Sequence, residues 1–520
     1  MSSMDIRKEI NNLVKDSIKK TYKKDFTVQV LRPKDKTHGD FAVSVALEIG
    51  KEIKINPMEV ALEIKENLKS DLFEKIEIVK PGFINFFISS KIIKQEIKNV
   101  LKEKEKFGNL EIGKGKKIQI EFVSANPTGP LTVGNGRGGP FGDVLGNVFK
   151  KAGYKVEKAY YVNDFGKQIL SLGHSILKDE EAKYSGEYID DLKIKGDDAY
   201  EVGKKGAEII LNEMIKKTID RLGIKYDEWF FESELYKKGE VEKVIEELKK
   251  KDLTYENEGA LWFKSTNFND ERDRVLIKEN KEKTYLAGDI TYHKYKFEKK
   301  RFDKVINVWG ADHFGDVAGL RAGVEALGYK DKIEIILLQF VTVLKDGIPV
   351  KMSKRLGTAI TMDDLLEELS SDVVRFFFLE KSANTHLAFN FNLAKEQSEK
   401  NPVFYVQYAY ARISSILRKS GTIKTVRDFS LLNEKRELEL MKQILKFKEV
   451  IEDTSKDYQL QRIPQYAIDL ATMFHGFYQD CQVLVEDEDL KNQRLCLILA
   501  TQIALKNVLD LMGISTPEKM

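Results

Sequence analysis

The chain has 520 residues, 42% of them hydrophobic, with 86 Lys and Arg against 83 Asp and Glu for a formal net charge of +3. That length suits two to four domains of an ordinary globular protein, and so small a charge does not by itself imply a nucleic-acid partner, although local basic faces could supply one. The first twenty residues are charged and lack an apolar core, so neither a secretory signal nor a membrane span is visible, and Cys481 and Cys496 are the only cysteines, too isolated for a zinc site or a disulfide framework. Both are expected as core thiols in a reducing cytoplasm.

Residues 1–90 read as a separate module. Ile6, Ile10, Leu13, Val14 and Ile18 give one apolar helix face with lysines opposite, a face that is either solvated or an RNA contact. A strand is expected at Phe26–Leu31, a turn at Arg32–Phe41, and a second strand at Phe83–Ile88 behind Pro81-Gly82. Residues 91–115 read as a linker that opens with a lysine/glutamate-rich helix.

From 116 to 385, strands and helices alternate, which argues a doubly wound, Rossmann-like α/β domain with a parallel sheet. Strands are expected at Lys117–Val123, Lys155–Val162, Lys304–Trp309 and Lys332–Leu338. A helix face formed by Phe141, Val144, Leu145, Val148 and Phe149 follows Pro140, which suits a first helical turn, and Gly153 suits its end. Between the first strand and this helix lies a loop rich in glycine and proline, the place where α/β folds bind phosphorylated ligands. Its Gly134–Gly139 matches the dinucleotide fingerprint G-x-G-x-x-G, but about ten residues with two prolines separate it from the strand, and a plain structural turn is a second alternative. An insertion is expected at about 178–297, with a charged helix near Val202–Leu222 and a hairpin around Gly259–Ser265. An Asp-Gly hairpin signal at Asp346-Gly347 precedes Lys351-Met352-Ser353-Lys354, and Thr361-Met-Asp-Asp364 reads as a helix cap. Two lysines three apart on a loop can neutralise charge on a polyphosphate. Residues 386–520 read as a helix bundle, with helices near Tyr405–Leu417, Glu434–Glu452, Ile463–Cys481 and Gln493–Leu511.

Ala125–Asn135 resembles the "HIGH" region of class I aminoacyl-tRNA synthetases, and Lys351–Lys354 resembles their "KMSK" loop. Arg32-Pro-Lys with His38–Phe41, Tyr161–Gly166, Trp309–His313, Asp372–Arg375, and Asn401-Pro402 with Tyr405–Tyr408 narrow the resemblance to arginyl-tRNA synthetases. It implies arginine activation by ATP, with Mg²⁺, and transfer to the terminal adenosine of tRNA(Arg) through its 2′-hydroxyl. It further implies tRNA bound before activation, an amino-terminal module at the tRNA elbow, a helical domain reading the anticodon, and a monomeric chain. The missing zinc-ligand cluster argues against the related cysteine and methionine enzymes, and the insertion is short for the editing domain of the valine, isoleucine and leucine enzymes.

The resemblance also implies roles. Asp289, Tyr285 and Glu232 would face the guanidinium, because a planar cation is best held by acids, with an N-cap as the rival role for Asp289. Glu121 and Asn126 would hold the ammonium and carboxylate, although Asn126 before a proline could be a turn former. Gly129, Pro130, Leu131, Val133, Gly134, Gly136, Asp312, Met352 and Ser353 would surround ATP, with Asp312 toward a ribose hydroxyl or in a buried capping role. His313 would line the adenosine or arginine pocket, and Lys351 and Lys354 would stabilise the leaving pyrophosphate. Thr132 and Asn135 stand where the family signature has histidines; both can donate a hydrogen bond but neither carries charge. That departure leaves a synthetase-like protein that binds without charging as a second reading, and a nicotinamide-dependent oxidoreductase as a third.

Overall fold

A five-stranded sheet lies at the centre of the computed structural model, which describes residues 4–350, 360–424 and 426–520. Its strands are β1 (Lys117–Phe122), β2 (Lys155–Val162), β3 (Glu228–Phe231), β4 (Lys304–Gly310) and β5 (Ile333–Leu338), in spatial order β5-β4-β1-β2-β3. Every neighbouring pair is parallel. Strand succession runs outward from β1 to β3 on one side and from β4 to β5 on the other. It therefore reverses between β1 and β4, and a crevice opens beyond their carboxyl ends.

Five of the six β1 residues are buried, as suits a strand covered on both faces. The chain then leaves β1 through Val123 and Ser124, both left-handed (φ 66° and 41°), a costly conformation for a β-branched residue. It re-enters helix at α1 (Val133–Gly136) and α2 (Gly138–Lys151), so α2 starts two residues before Pro140. The helix lies close on the sheet: a Cβ at Gly142 would sit 2.1 Å from the Phe122 ring.

The span 178–297 is not one insertion. It contains β3, which pairs with β2 from Ala159 to Val162, and most of helix α3 (Tyr285–Glu298). The remainder is helical up to Arg221, with a π-helical segment at Ile210–Ile215, followed by a three-stranded antiparallel sheet of Thr254–Asn257, Ala260–Phe263 and Arg274–Ile277. Helix α4 (Phe314–Ala326) joins β4 to β5. The Asp346-Gly347 hairpin forms as expected between Val341–Lys345 and Ile348–Pro349, with both turn residues at positive φ. Thr361 and Asp364 close a reciprocal capping box.

In the amino-terminal module a helix at Pro57–Glu66 packs on an antiparallel sheet of Phe41–Val43, Phe83–Ile88 and Phe73–Val79, and a helix at Ile6–Tyr22 packs on that helix in turn. Phe26–Leu31 is not a strand of that sheet. Val28 and Val30 are buried, and only Leu31 meets the sheet, by an antiparallel bridge to Ala42 on its edge strand. The conspicuous Arg32…Phe41 string builds an interdomain latch. Arg32 stacks on Phe41 (4.4 Å) and donates to both oxygens of Glu449 (2.7 Å each), while Asp40 pairs with Lys442 at 2.7 Å.

The carboxyl-terminal bundle comprises α5 (Pro402–Ser420), α6 (Lys435–Leu445), α7 (Phe447–Asp457), α8 (Arg462–Asp480) and α9 (Glu488–Met512). Asn401 Oδ1 caps α5 by accepting from Val403 N (3.1 Å), and the helix expected at Glu434–Glu452 divides into α6 and α7 at Lys446. Helix α9 is long and apolar enough to cross a membrane, but 72% of its apolar stretch is buried against the protein. Cys481 and Cys496 are buried and unpaired, as expected of core thiols.

One charge cluster binds bundle to sheet. Asp143 on α2 accepts from Lys158 Nζ and Arg375 Nη2, each at 2.5 Å, and Arg375 also donates to Met512 O (2.6 Å) and Leu222 O (2.8 Å). Burial pushes the Asp143 carboxyl up, but Arg375 and Lys158 outweigh it and hold it below the usual range. Asp143→Ala strands two buried cations, so chemical denaturation should show a loss of about 3–5 kcal/mol.

Candidate active site

The crevice between β1 and β4 deepens into a cavity of about 1360 Å³. Of the residues expected to serve it, Glu121, Asn126, Thr132, Gly134, Asn135, Glu232, Tyr285, Asp289, Asp312 and His313 do line it. Gly129, Pro130, Leu131, Val133 and Gly136 do not. The Leu131 carbonyl accepts from Met362 N (2.8 Å) and the Val133 N–H donates to Ile360 O (2.9 Å), which fastens the turn to the segment behind it. Gly136 faces the same way, where a Cβ would lie 2.0 Å from the Met362 sulfur. Leu131, Val133 and Gly136 thus face away from the side of the turn on which Thr132, Gly134 and Asn135 line the cavity. Lys351, Met352, Ser353 and Lys354 fall outside the described residues.

At the floor, acids gather. Glu232 follows β3 and is 4% exposed, and Asp289 lies half-buried on α3. Helix α3 takes Thr284 as its N-cap, so Asp289 sits inside the helix and does not cap it. Glu232 Oε1, Tyr236 Oη and Tyr161 Oη converge over Gly288, at 3.1, 3.4 and 4.0 Å from where a Cβ there would lie. The Asn163 amide, in the orientation that satisfies both its ends, donates to Glu232 Oε2 at 2.7 Å. Among the described residues, neither Glu232 nor Asp289 has a cation within salt-bridge distance. Burial first, then the neighbouring Asp289 charge, raises Glu232 to about 8. Burial and the charges of Glu121 and Asp316 raise Asp289 to about 7. A cation placed between such acids would be held strongly, because it removes both causes of the shift.

Glu121, at the end of β1, is anchored: Lys296 Nζ lies 2.5 Å from its Oε2, and the Ser124 hydroxyl donates to Oε1 at 3.3 Å. Below it, His293 Nδ1 lies 2.7 Å from Asp289 O, which can only accept, so Nδ1 carries the proton; Nε2 then accepts from Asn307 Nδ2 at 2.8 Å. Burial and the Lys296 charge push His293 well below the imidazole range, keeping it neutral.

The opposite wall is neutral and rich in donors. The Thr132 hydroxyl donates to Asn135 Oδ1 at 2.7 Å and accepts from Asn135 N at 3.3 Å, which leaves the Asn135 Nδ2 hydrogens for the cavity. Arg137, fully buried, secures this wall by donating to Gln339 O (2.6 Å), Ser382 O (3.0 Å) and Thr385 O (3.1 Å); burial lowers its pKa to about 10. At the mouth, Asp312 and His313 are exposed in the turn after β4, with His313 3.5 Å from Asp316. Asp312 is thus no buried cap. Tyr285, 57% exposed, opens α3 at the rim.

Lys296, His293, Asn163, Tyr236 and Arg137 escaped sequence reasoning as site residues. Only the seven-residue spacing of Asp289 and Lys296, which puts them on one helix face, could have found Lys296.

A second cavity, about 700 Å³, lies between α5 and α8 and is lined by Tyr405, Tyr408, Arg412, His475 and Tyr478. The Arg412 guanidinium sits 4.5 Å over Tyr478 and 5.8 Å over Tyr408.

Known proteins match along the whole chain. The family model described as "tRNA synthetases class I (R), catalytic domain" matches residues 96–194 and 174–385, "Arginyl tRNA synthetase N terminal domain" matches 8–88, and "DALR anticodon binding domain" matches 406–520. The arginine–tRNA ligase of Caldanaerobacter subterraneus subsp. tengcongensis is 43% identical, over 95% of this chain and 94% of that protein. The arginine–tRNA ligase of Bacillus subtilis is 39% identical, over 99% of this chain and 100% of its own. The solved arginyl-tRNA synthetase of Thermus thermophilus shares the fold with a TM-score of 0.80 at 21% identity, covering 99% of this chain and 100% of that one.

The raised acids set a pH dependence. Below their pKa values the pair is protonated and a guanidinium must displace protons, so binding of free arginine should tighten from about pH 6 to about pH 9 with proton release. Calorimetry in two buffers of different ionisation enthalpy measures both, and a flat affinity would remove the pair from the ligand's contacts.

Proposed function

The chain belongs to the arginyl-tRNA synthetase family and is an arginine–tRNA ligase that charges tRNA(Arg) through an ATP-dependent adenylate, and from that premise we propose how its residues divide the work. Glu232 and Asp289, with Tyr285, hold the guanidinium; that these two acids have their pKa values raised to about 8 and about 7, with no cation at salt-bridge distance from either among the described residues, is the observation that carries this reading. Glu121 takes the α-ammonium, and Asn126 helps orient the α-carboxylate. Gly134, Thr132 and Asn135 face the triphosphate, while Asp312 and His313 face the adenosine. Lys351 and Lys354, with Met352 and Ser353 between them, serve the departing pyrophosphate.

Activation needs no general base. An oxygen of the already ionised arginine carboxylate bonds to the α-phosphorus as the bond to pyrophosphate breaks, so positioning and charge stabilisation carry the rate. In the second step the 2′-hydroxyl of the terminal adenosine attacks the activated carbonyl and AMP leaves. No three His, Cys, Asp or Glu side chains cluster as a metal site among the described residues, and Mg²⁺ therefore fits as an ion delivered with the triphosphate, where it would offset phosphate charge.

The amino-terminal module and the helical bundle meet the tRNA. The second cavity's tyrosines and arginine offer flat faces on which unstacked anticodon bases can lie. The protein works as a cytoplasmic monomer, and its unpaired buried thiols suit a reducing compartment.

ATP–pyrophosphate exchange with each amino acid, with and without tRNA, tests the reading: arginine with its tRNA should support exchange, and failure there would sink it. Asn135→Ala should lower the exchange rate by roughly 10²-fold, the scale for losing a donor to developing charge; a near-normal rate would remove Asn135 from the catalytic set. Tyr408→Ala should raise the KM for tRNA by roughly tenfold, one base stack's worth, without changing the KM for ATP in steady-state charging assays.

A further inference from the structure

Lys296 has no role in the steps above, yet it lies directly beneath them. Its side chain is wholly buried, with Nζ 2.5 Å from Glu121 Oε2, 3.4 Å from Asn307 Oδ1 and 4.1 Å over the Tyr292 ring. An ammonium is hard to remove from water, and a partner carboxylate repays that removal only partly. An ion pair that served stability alone could sit anywhere in the core; this one ends in a carboxylate that lines the cavity.

We infer that Lys296 is a positioning residue for arginine: it fixes the Glu121 carboxylate on the cavity floor and partly offsets the negative charge gathered beside Asp289. This deepens the reading of the cavity as an arginine site and rests on it. Two arrangements support it. First, Lys296 and Asp289 stand seven residues apart on one face of α3, so a single rigid helix carries both an acid that faces ligand and the cation behind it. Second, Glu121 is gripped from both sides, by Lys296 on Oε2 and by Ser124 on Oε1, and Ser124 belongs to the left-handed pair that ends β1. Backbone held in that region is a feature of sites where a group must be aimed.

The charged and titratable groups around Lys296 come from every neighbouring element. They are Glu121 on β1, Glu228 on β3, and Asp289, Tyr292 and His293 on α3. Asp289 in turn faces Asp316 on α4 and Glu232 after β3. His293 is neutral, so Lys296 supplies the positive charge within this group. Without that charge, Asp289 would face Glu121 and Asp316 with nothing to offset them and would hold its proton to a higher pH.

The test compares Lys296→Met and Lys296→Gln, both neutral, with Lys296→Arg, which keeps the charge, in arginine-dependent ATP–pyrophosphate exchange across pH. The neutral variants should raise the KM for arginine at least tenfold, leave the KM for ATP within about twofold, and move the acid limb of kcat/KM for arginine up by roughly one pH unit. The Arg variant should return the limb to its wild-type position. The inference is overturned if the Gln variant, which keeps a donor but no charge, has the wild-type limb and arginine KM, or if the KM values for arginine and ATP rise together. Should neither neutral variant fold, the Arg variant decides: a wild-type limb supports the inference and a shifted one overturns it. Wild-type enzyme without arginine-dependent exchange would instead fail the reading of the cavity itself.

Discussion

Asp143 is the point at which three distant parts of the chain are joined by charge. Its helix, α2, carries the signature turn; Lys158 comes from the adjoining strand; Arg375 reaches on to the ends of the helices closing at Leu222 and Met512. No member of this group can be solvated, so each is bound to the others' geometry. The turn that lines the cavity and the last helix of the bundle are therefore fixed to one carboxylate. The helical bundle and the turn that lines the cavity share this support, and α2 is seated closely on Phe122.

The cavity is sorted by charge along its depth. Acids dominate the floor, where Glu232, Asp289 and Glu121 meet one internal lysine. The facing wall offers uncharged donors, and its one buried guanidinium, Arg137, spends its hydrogens on backbone carbonyls. The chain's net charge of +3 gives no sign of this local separation of acids from neutral donors.

Much of this was legible in the sequence, and the misses have physical causes. The isoleucine-rich stretches Lys117–Phe122 and Ile333–Leu338 read as strands, and the near-continuous apolar run of the second announces one covered on both faces. Phe26–Leu31 also carries apolar residues, but only Leu31 meets the sheet, bridging Ala42 on its edge strand. β3 is only four residues long and left no readable pattern, so it vanished into an expected insertion. The family strings located ten cavity residues, yet they could not say which side of a four-residue helix faces inward, and Leu131, Val133 and Gly136 point away. Lys296 was hidden for another reason: among 86 basic residues, a buried lysine looks like every solvated one. Its burial is decided by β1 and β4, which come from elsewhere in the chain. The Arg32…Phe41 string was read as a family mark, and only the fold shows that it builds the latch on Glu449.

Because the Thr132 hydroxyl donates to Asn135 Oδ1, the Asn135 amide can turn only its Nδ2 hydrogens outward. An imidazole pair in these positions would change charge near neutrality, whereas an alcohol and an amide do not titrate there at all. The Thr132–Asn135 pair therefore gains no charge on acidification, while Glu232 and Asp289 on the floor lose theirs.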